Sequence, residues 1–143
     1  EAMALATDIA VMSHGKLLQV APPEEIYARP EGRLVGGLIG RGAILALALP
    51  DGASRKIDWQ TLREGLDKPS TADRLMVDVL VRPEDVHLSG EGLAARVRAS
   101  LYEGERYSLT LELDNGQFLR AFSRHRLQID ETTRVTITGA WRL

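Results

Sequence analysis

Residues 8–40 read DIAVMSHGKLLQVAPPEEIYARPEGRLVGGLIG, and this stretch sets the organisation of the chain. Apolar residues alternate with small or polar ones on both sides of His14-Gly15, at Ile9 and Val11 and then at Leu18 and Val20. Such alternation is the period of a half-buried strand. A short turn with glycine joins two strands easily, because its backbone visits positive φ. The stretch therefore predicts a β-hairpin with one apolar face.

Prolines delimit a helix after this hairpin. Pro22-Pro23 is followed by Glu24-Glu25. Proline is tolerated in the first helical turn, and early glutamates suit the positive end of the helix dipole. Pro30 ends the helix, since the residue before a proline avoids the α region. A second short helix is predicted over residues 31–39, with an apolar face formed by Leu34, Val35, Leu38 and Ile39.

Residues 1–8 are predicted to be helical, because Ala2, Leu5, Ala6 and Ile9 keep a spacing of three to four. No capping residue precedes this pattern, and the chain does not begin with Met. The pattern therefore indicates an excised fragment, and a naturally frayed terminus is the alternative.

From residue 42 onwards the apolar period becomes two. The predicted strands cover residues 43–50, 55–59, 75–81, 86–88, 94–102, 107–113, 117–123 and 134–138. Asp51-Gly52 and Asp114-Asn115-Gly116 predict hairpin turns, the first joining strands 43–50 and 55–59. Residues 60–72 are polar and predict a loop or one helical turn. Short strands without long helices predict a mainly β fold, built as a small antiparallel barrel or sandwich.

Two of these strands carry expectations about burial. Residues 75–81, LMVDVLV, are too apolar to face water on either side. In residues 94–102 the alternation places Val97, Ala99 and Leu101 on one face. The first of these strands is therefore expected to be buried.

Composition excludes several classes of protein. The 143 residues are 44% hydrophobic, which is enough to bury a core, and carry a formal net charge of −2. That charge and an aromatic content of 5% argue against a nucleic-acid partner or a barrel that binds oligonucleotides. The absence of cysteine excludes disulfides and thiolate metal sites. No apolar run approaches the roughly 20 residues needed to cross a bilayer, so we expect no direct membrane insertion.

The first forty residues also carry a resemblance to a known family. The pattern D-I-A-V-M-x-x-G-x-L-x-Q-x-x-x-P-x-E-I-Y-x-x-P runs without a gap from Asp8 to Pro30. It resembles the end of the nucleotide-binding domain of ABC importer ATPases. In that family the segment follows the switch histidine of a T-H-D-Q-E-E-A run, of which Glu1-Ala2 would remain here.

A second resemblance lies further along the chain. Residues 80–86, LVRPEDV, resemble the V-R-P-E-x-V segment of the accessory C-terminal domain called TOBE. The two resemblances together imply a division into residues 1–40, the remnant of the nucleotide-binding domain, and residues 41–143, a TOBE-type domain. They also imply an OB-like barrel preceded by a short α/β segment, which agrees with the strand periodicity.

Catalytic motifs are missing from the sequence. A nucleotide-binding G-x-x-x-x-G-K-[ST] loop is absent, and Gly15-Lys16 has neither the upstream glycine nor a following Ser or Thr. The acidic Walker B strand, the signature loop and the switch histidine are absent too. We therefore assign no catalytic or ATP-binding residue and no cofactor to this chain. The resemblance implies that ATP and Mg²⁺ are bound by the whole protein.

The resemblance further implies a function. The whole protein would couple ATP hydrolysis to solute uptake through permease subunits, from the cytoplasmic face of the plasma membrane. Two copies would meet in part through these C-terminal regions, which would act as regulatory and dimerisation elements. The sequence around residues 40–45, GRGAIL, favours ferric-iron importers, with polyamine, thiamine, sulfate and sugar importers as alternatives.

Three residues are candidates for ligand contacts. Arg82 and Glu84 flank Pro83, where they either lock a turn as a charge pair or contact a regulatory ligand or partner subunit. Arg124 belongs to a positive cluster with Arg120, His125 and Arg126, which is either a solvated face or an attractor for an oxyanion. A β-barrel that senses a small oxyanion is therefore the alternative function. His14, His87 and His125 have no metal-ligand spacing, so no metal site is predicted.

Overall fold

The structure, a computed structural model, describes residues 7–143 and divides into two compact units between Arg41 and Gly42. The predicted helix over residues 1–8 thus lies almost wholly outside the described residues. In the first unit the elements are β1 (Ile9–Ser13), β2 (Lys16–Ala21), α1 (Pro23–Ala28) and α2 (Arg33–Leu38). The turn between β1 and β2 has positive φ at both His14 (50°) and Gly15 (77°), so the predicted hairpin is confirmed.

The burial pattern of β2 differs from the prediction. Val11 lies opposite Gln19 and Met12 opposite Leu17, which leaves Leu18 without an opposite residue. This β-bulge reverses the alternation, so Gln19 is buried and Val20 is exposed. Burial of the Gln19 amide is compensated by hydrogen bonds: Nε2 donates to the Arg29 carbonyl (3.2 Å) and Oε1 accepts from the Glu31 amide (2.9 Å).

The two helices of the first unit are short and lie on a small core. Pro23 occupies the first turn of α1, as predicted, and Ile26 of α1 packs with Val11 and Val35. Helix α2 is shorter than the predicted 31–39. Of its predicted apolar face Val35 is buried, whereas Leu34 and Leu38 are exposed.

The second unit contains most of the strands. Its elements are β3 (Ala43–Pro50), β4 (Lys56–Ile57), α3 (Trp59–Asp67), β5 (Arg74–Val81), a 3₁₀ helix (Pro83–Asp85), β6 (Val86–Tyr102), β7 (Tyr107–Leu113), β8 (Phe118–Ser123), β9 (Thr132–Ile137) and β10 (Ala140–Arg142). They form two antiparallel four-stranded sheets in the described chain, ordered β3-β5-β10-β4 and β8-β7-β6-β9.

The predicted hairpin at Asp51-Gly52 is wrong, because β3 pairs with β5 and the short β4 pairs with β10. The prediction of a loop or one helical turn over residues 60–72 underestimates the helix, since α3 begins at Trp59 and ends at Asp67. Asp58 caps this helix by accepting a hydrogen bond from the Thr61 amide (2.8 Å). The helix packs on β3, and the missing side chain of Gly65 allows a close approach to Leu47 and the Ala48 carbonyl.

Strand β6 is longer than predicted and contains two irregularities. Leu88 and Leu93 both lie opposite Val135 of β9, so residues 89–92 loop out of one continuous strand. Further along, Val97 pairs with Leu111 and Ala99 with Thr110, which leaves Arg98 unpaired. The prediction that Val97, Ala99 and Leu101 share one face is therefore wrong: Val97 is buried, whereas Ala99 and Leu101, after this bulge, are exposed.

Two further differences concern strands of the first sheet. Leu75 and Met76, at the start of β5, are exposed, while the predicted burial holds for Val79–Val81. Strand β10 continues the sheet beyond the predicted last strand. Its neighbours on both sides, β4 and β5, are distant in sequence, so no local signal marks it.

Both sheets contribute to one core in the second unit. It includes Leu45, Leu47, Val79, Leu109, Leu111, Leu119 and Ile137, each almost fully buried. The antiparallel strands of this unit are curled into a half-barrel. The prediction of a mainly β chain with an antiparallel OB-like domain is therefore confirmed. The Asp114-Asn115-Gly116 hairpin between β7 and β8 is also confirmed, with Gly116 at φ 85°.

Candidate functional site

Arg82 and Glu84 lie on one turn but in different environments. Arg82 directly follows β5 and is 5% exposed, with Nη1 3.3 Å from the point that a Cβ on Gly42 would occupy. Its carbonyl accepts a hydrogen bond from the Asp85 amide (3.0 Å), which closes the 3₁₀ helix. Pro83 is buried and Glu84 is exposed. The turn therefore presents the glutamate to solvent and keeps the arginine inside.

Asp85, at the end of the 3₁₀ helix, is hydrogen-bonded to Thr138, which directly follows β9. Thr138 donates two hydrogen bonds to the Asp85 carbonyl, from its amide (2.9 Å) and from Oγ1 (3.4 Å). Oγ1 also lies 3.3 Å from Asp85 Oδ1. The 3₁₀ helix lies against β8 as well. These contacts fix the backbone around the Arg82-Pro83-Glu84 segment, so its two charged side chains occupy defined positions.

Arg124 lines a groove of about 700 Å³, which we call the lateral groove, together with Glu105, Arg106, Phe122 and Ser123. The guanidinium carbon of Arg106 lies 3.4 Å from the centre of the Phe122 ring. That stacking fixes the cation in place. Arg106 Nε lies 3.4 Å from Glu103 Oε1, and Glu105 adds a second carboxylate, so the positive charge of the groove is largely offset.

The positive cluster predicted around Arg124 does not form one site. Arg82 is not among the residues that line the lateral groove, and Arg126 lines a different groove with Tyr102 and Tyr107. Arg120 lies on β8, with Nε buried and without a hydrogen-bond partner among the residues described. The alternation along β6 does not predict that Tyr102 faces this groove beside Tyr107, because its orientation depends on the bulge at Arg98.

Electrostatic perturbations fall at structural contacts. The amide of Thr61 donates to the carboxylate of Asp58 and lowers the pKa of Asp58. The hydrogen bond from Arg29 lowers the pKa of Glu25, and Glu112 raises the pKa of Arg98. All three groups are in contact with solvent and serve a helix cap or ion pairs. Within residues 7–143 no three His, Asp or Glu side chains gather in a way that would hold a metal ion.

None of the helices within residues 7–143 is long and apolar enough to span a bilayer.

Comparison with known proteins gives a match in each part of the chain. Residues 79–140 match the family model of the TOBE domain. The chain is 33% identical over 97% of its length to the spermidine/putrescine import ATP-binding protein PotA of Borreliella afzelii, covering 38% of that protein.

Two further relatives carry the same name. PotA of Nitratidesulfovibrio vulgaris is 29% identical over 99% of the chain and 42% of its own length. PotA 1 of Pseudomonas aeruginosa is 33% identical over 83% of the chain and 34% of its own length. The chain thus spans about a third to two fifths of the length of these three relatives.

These findings bear on the family resemblance of the sequence. They support a fragment of an ABC importer ATP-binding subunit that carries a TOBE domain. The prediction of a ferric-iron importer is not supported, since all the relatives named above are named for the import of spermidine and putrescine. The chain is therefore similar, over nearly its whole length, to part of the ATP-binding proteins of spermidine/putrescine import, with the TOBE domain in residues 79–140.

Proposed function

We propose that this chain is the C-terminal regulatory and dimerisation region of the ATP-binding subunit of an ABC importer for polyamines. The observation that carries the proposal is similarity over nearly the whole chain to proteins named for spermidine/putrescine import, combined with a TOBE match at residues 79–140. A similarity confined to a β-domain would support much less, because one fold serves many functions.

The proposal divides the chain into residues 1–40, the end of a nucleotide-binding domain, and residues 41–143, a TOBE-type domain. The separation of the structure into compact units at Arg41/Gly42 supports this division. ATP and Mg²⁺ would bind to parts of the subunit other than this chain, which has no phosphate-binding loop.

The same proposal sets the partners and the location of the whole subunit. It would lie at the cytoplasmic face of the plasma membrane, held there by permease subunits that form the path for the solute. The second copy of the subunit would contact it partly through the region described here. This region would then stabilise the dimer and carry regulatory contacts, and would not itself act as the motor.

Solute uptake by the complete transporter tests the assignment. The full-length subunit that contains this chain is reconstituted with its permease partners in vesicles, and ATP-dependent uptake of radiolabelled spermidine and putrescine is measured. Ferric iron, thiamine, sulfate and maltose serve as competing solutes. We expect uptake of the polyamines, and loss of it when the phosphate-binding lysine of the nucleotide domain is replaced. ATP-dependent uptake of another solute without the polyamines would contradict the assignment.

A further inference from the structure

A second groove lies at the hairpin end of β6 and β7, facing the segment that follows β8. Its volume is about 350 Å³, within the range of small-molecule sites. The side chains that matter for its chemistry are Ser100, Tyr102, Tyr107, Arg126, Gln128 and Ile129. We call it the mouth groove and define it by these residues, which lie beside the hairpin that joins β6 to β7.

The bulge at Arg98 decides which side chains of β6 line this groove. Ser100 lies opposite the fully buried Leu109, and Tyr102 lies opposite Tyr107, so both face the inner side of the sheet. Without the extra residue, the alternation would place Ala99 and Leu101 there instead. Neither of these has a polar side-chain atom. The bulge therefore provides the groove with a hydroxyl group and a second phenol ring.

Arg98 also contacts the segment 126–130, which forms the other side of the groove. Its Nε donates to Glu112 Oε1 (2.6 Å) and its Nη1 donates to Asp130 Oδ1 (2.5 Å). The Asp130 amide donates to the Val97 carbonyl (2.8 Å), and Asp130 has a φ of 70°, which is uncommon for a residue with a side chain. Such backbone strain persists only where the surroundings fix it. One bulged residue thus positions both the strand and the segment 126–130.

The tyrosines form an aromatic wall. Their ring centres are 5.1 Å apart with a tilt of 48°. Tyr102 is 63% exposed, yet its hydroxyl donates to the Gly104 carbonyl (2.5 Å), which restrains the ring. An exposed, restrained aromatic surface of this kind offers contact area at low entropic cost.

Arg126 supplies a positive charge to the lining of the groove. It makes no ion pair or hydrogen bond with another residue in the part of the chain that the structure describes. Asp130 is engaged by Arg98, and Glu131 Oε1 accepts the Gln128 amide (3.0 Å). A guanidinium binds carboxylate and phosphate through paired N–H donors, and the hydroxyl of Ser100 adds a further donor in the same groove.

We propose that the mouth groove is a binding site for an anion with a flat apolar body, in which Arg126 binds the carboxylate or phosphate and the body lies against Tyr102 and Tyr107. This site is independent of the proposed function in polyamine import, and its failure would leave that assignment unchanged.

Titration of the 143-residue chain tests the site. Phenyl phosphate and benzoate are the probes, and their binding is measured by calorimetry and by shifts in the amide NMR spectrum. The two affinities show whether the groove prefers a phosphate or a carboxylate. Two control compounds each carry one of the required features: inorganic phosphate has the anionic group, and benzyl alcohol has the flat apolar body. We expect saturable binding of one aromatic anion at a single site, with both half-probes at least about tenfold weaker. Absence of saturable binding, or equal affinity for inorganic phosphate, would overturn the proposal.

Single substitutions locate the site. Arg126→Gln and Tyr102→Ala should each weaken binding about tenfold, since each removes one of the two recognition features. Arg124→Gln is the matched control, because it removes the same charge two residues away but lines the lateral groove. All three side chains are exposed, and retained unfolding temperatures verify that the variants fold. Equal losses in Arg126→Gln and Arg124→Gln would indicate non-specific charge attraction and refute the site.

Discussion

At the residue scale, two glycines in the looped-out segment of β6 differ in what surrounds them. Gly90 and Gly92 both have positive φ, 75° and 93°. No atom lies within 4 Å of the point where a Cβ on Gly90 would be, whereas a Cβ on Gly92 would lie 2.1 Å from the Val135 carbonyl oxygen. Both positions therefore favour glycine because of their positive φ, but of the two only Gly92 has no room for a side chain.

Alanine substitutions separate these two requirements. Gly90→Ala should cost about 1 kcal/mol of unfolding free energy, from the left-handed backbone alone. Gly92→Ala should cost about 3 kcal/mol or more, because β9 must also move to admit the methyl group. Urea unfolding followed by circular dichroism measures both values. Equal losses in the two variants would mean that β6 and β9 do not approach as closely as described.

At the element scale, the free edge of β3 is covered by a side chain from the other sheet. The carboxamide of Gln117, just before β8, accepts from the Ala46 amide (2.6 Å) and donates to the Ala46 carbonyl (3.0 Å). These two bonds imitate a neighbouring strand. Nearby, Arg74 Nη1 donates to the Ala48 carbonyl (2.9 Å). An apolar edge strand such as β3 would otherwise be a template for aggregation.

Removal of this amide should destabilise the second unit. Gln117→Ala leaves both backbone groups of Ala46 without their partner, at a cost of about 1–3 kcal/mol. Gln60→Ala, on the exposed surface of α3, is the control and should change stability by less than about 0.5 kcal/mol. Chemical unfolding gives the comparison. If Gln117→Ala unfolds at the same denaturant concentration as Gln60→Ala, the link between β3 and β8 contributes nothing.

The elements also show what the sequence predicts and what it leaves open. The turns at His14-Gly15 and Asn115-Gly116 follow from local chemistry, since their residues set the backbone that the turn needs. The bulge at Arg98 does not, because its ion-pair partners lie 14 and 32 residues away. A period of two cannot show where such contacts insert an extra residue.

The candidate site shows the same limit. Arg124 and Arg126 were predicted to share a positive cluster, because they are close in sequence. In the structure they line different grooves, Arg124 beside Arg106 and Arg126 beside the two tyrosines. Which groove each enters depends on the segment pinned by Arg98, a contact that no local pattern encodes.

At the scale of the whole molecule, the proposed role requires that two copies associate. Several large apolar side chains of the second unit are exposed, including Leu101 (64%), Phe118 and Ile129. Leu101 lies opposite Ser108 of β7, and Phe118 lies opposite Glu112. Because Ser108 and Glu112 are four residues apart on one strand, Leu101 and Phe118 share one face of the β6–β7–β8 sheet. This face is therefore the one on which we test association, because contiguous exposed apolar surface marks interaction sites.

Molar mass in solution tests this association directly. Light scattering on the 143-residue chain should show a dimer that persists over about a hundredfold range of concentration. Since weak association is lost on dilution by mass action, this range separates a stable dimer from a transient one. Leu101→Glu, which places a charge on that sheet face, should shift the mass towards the monomer. Met76→Glu, an equally polar change at an exposed position of the other sheet, is its control and should leave the dimer intact. A monomer at every concentration would remove dimerisation as a property of this region and assign it to the rest of the subunit.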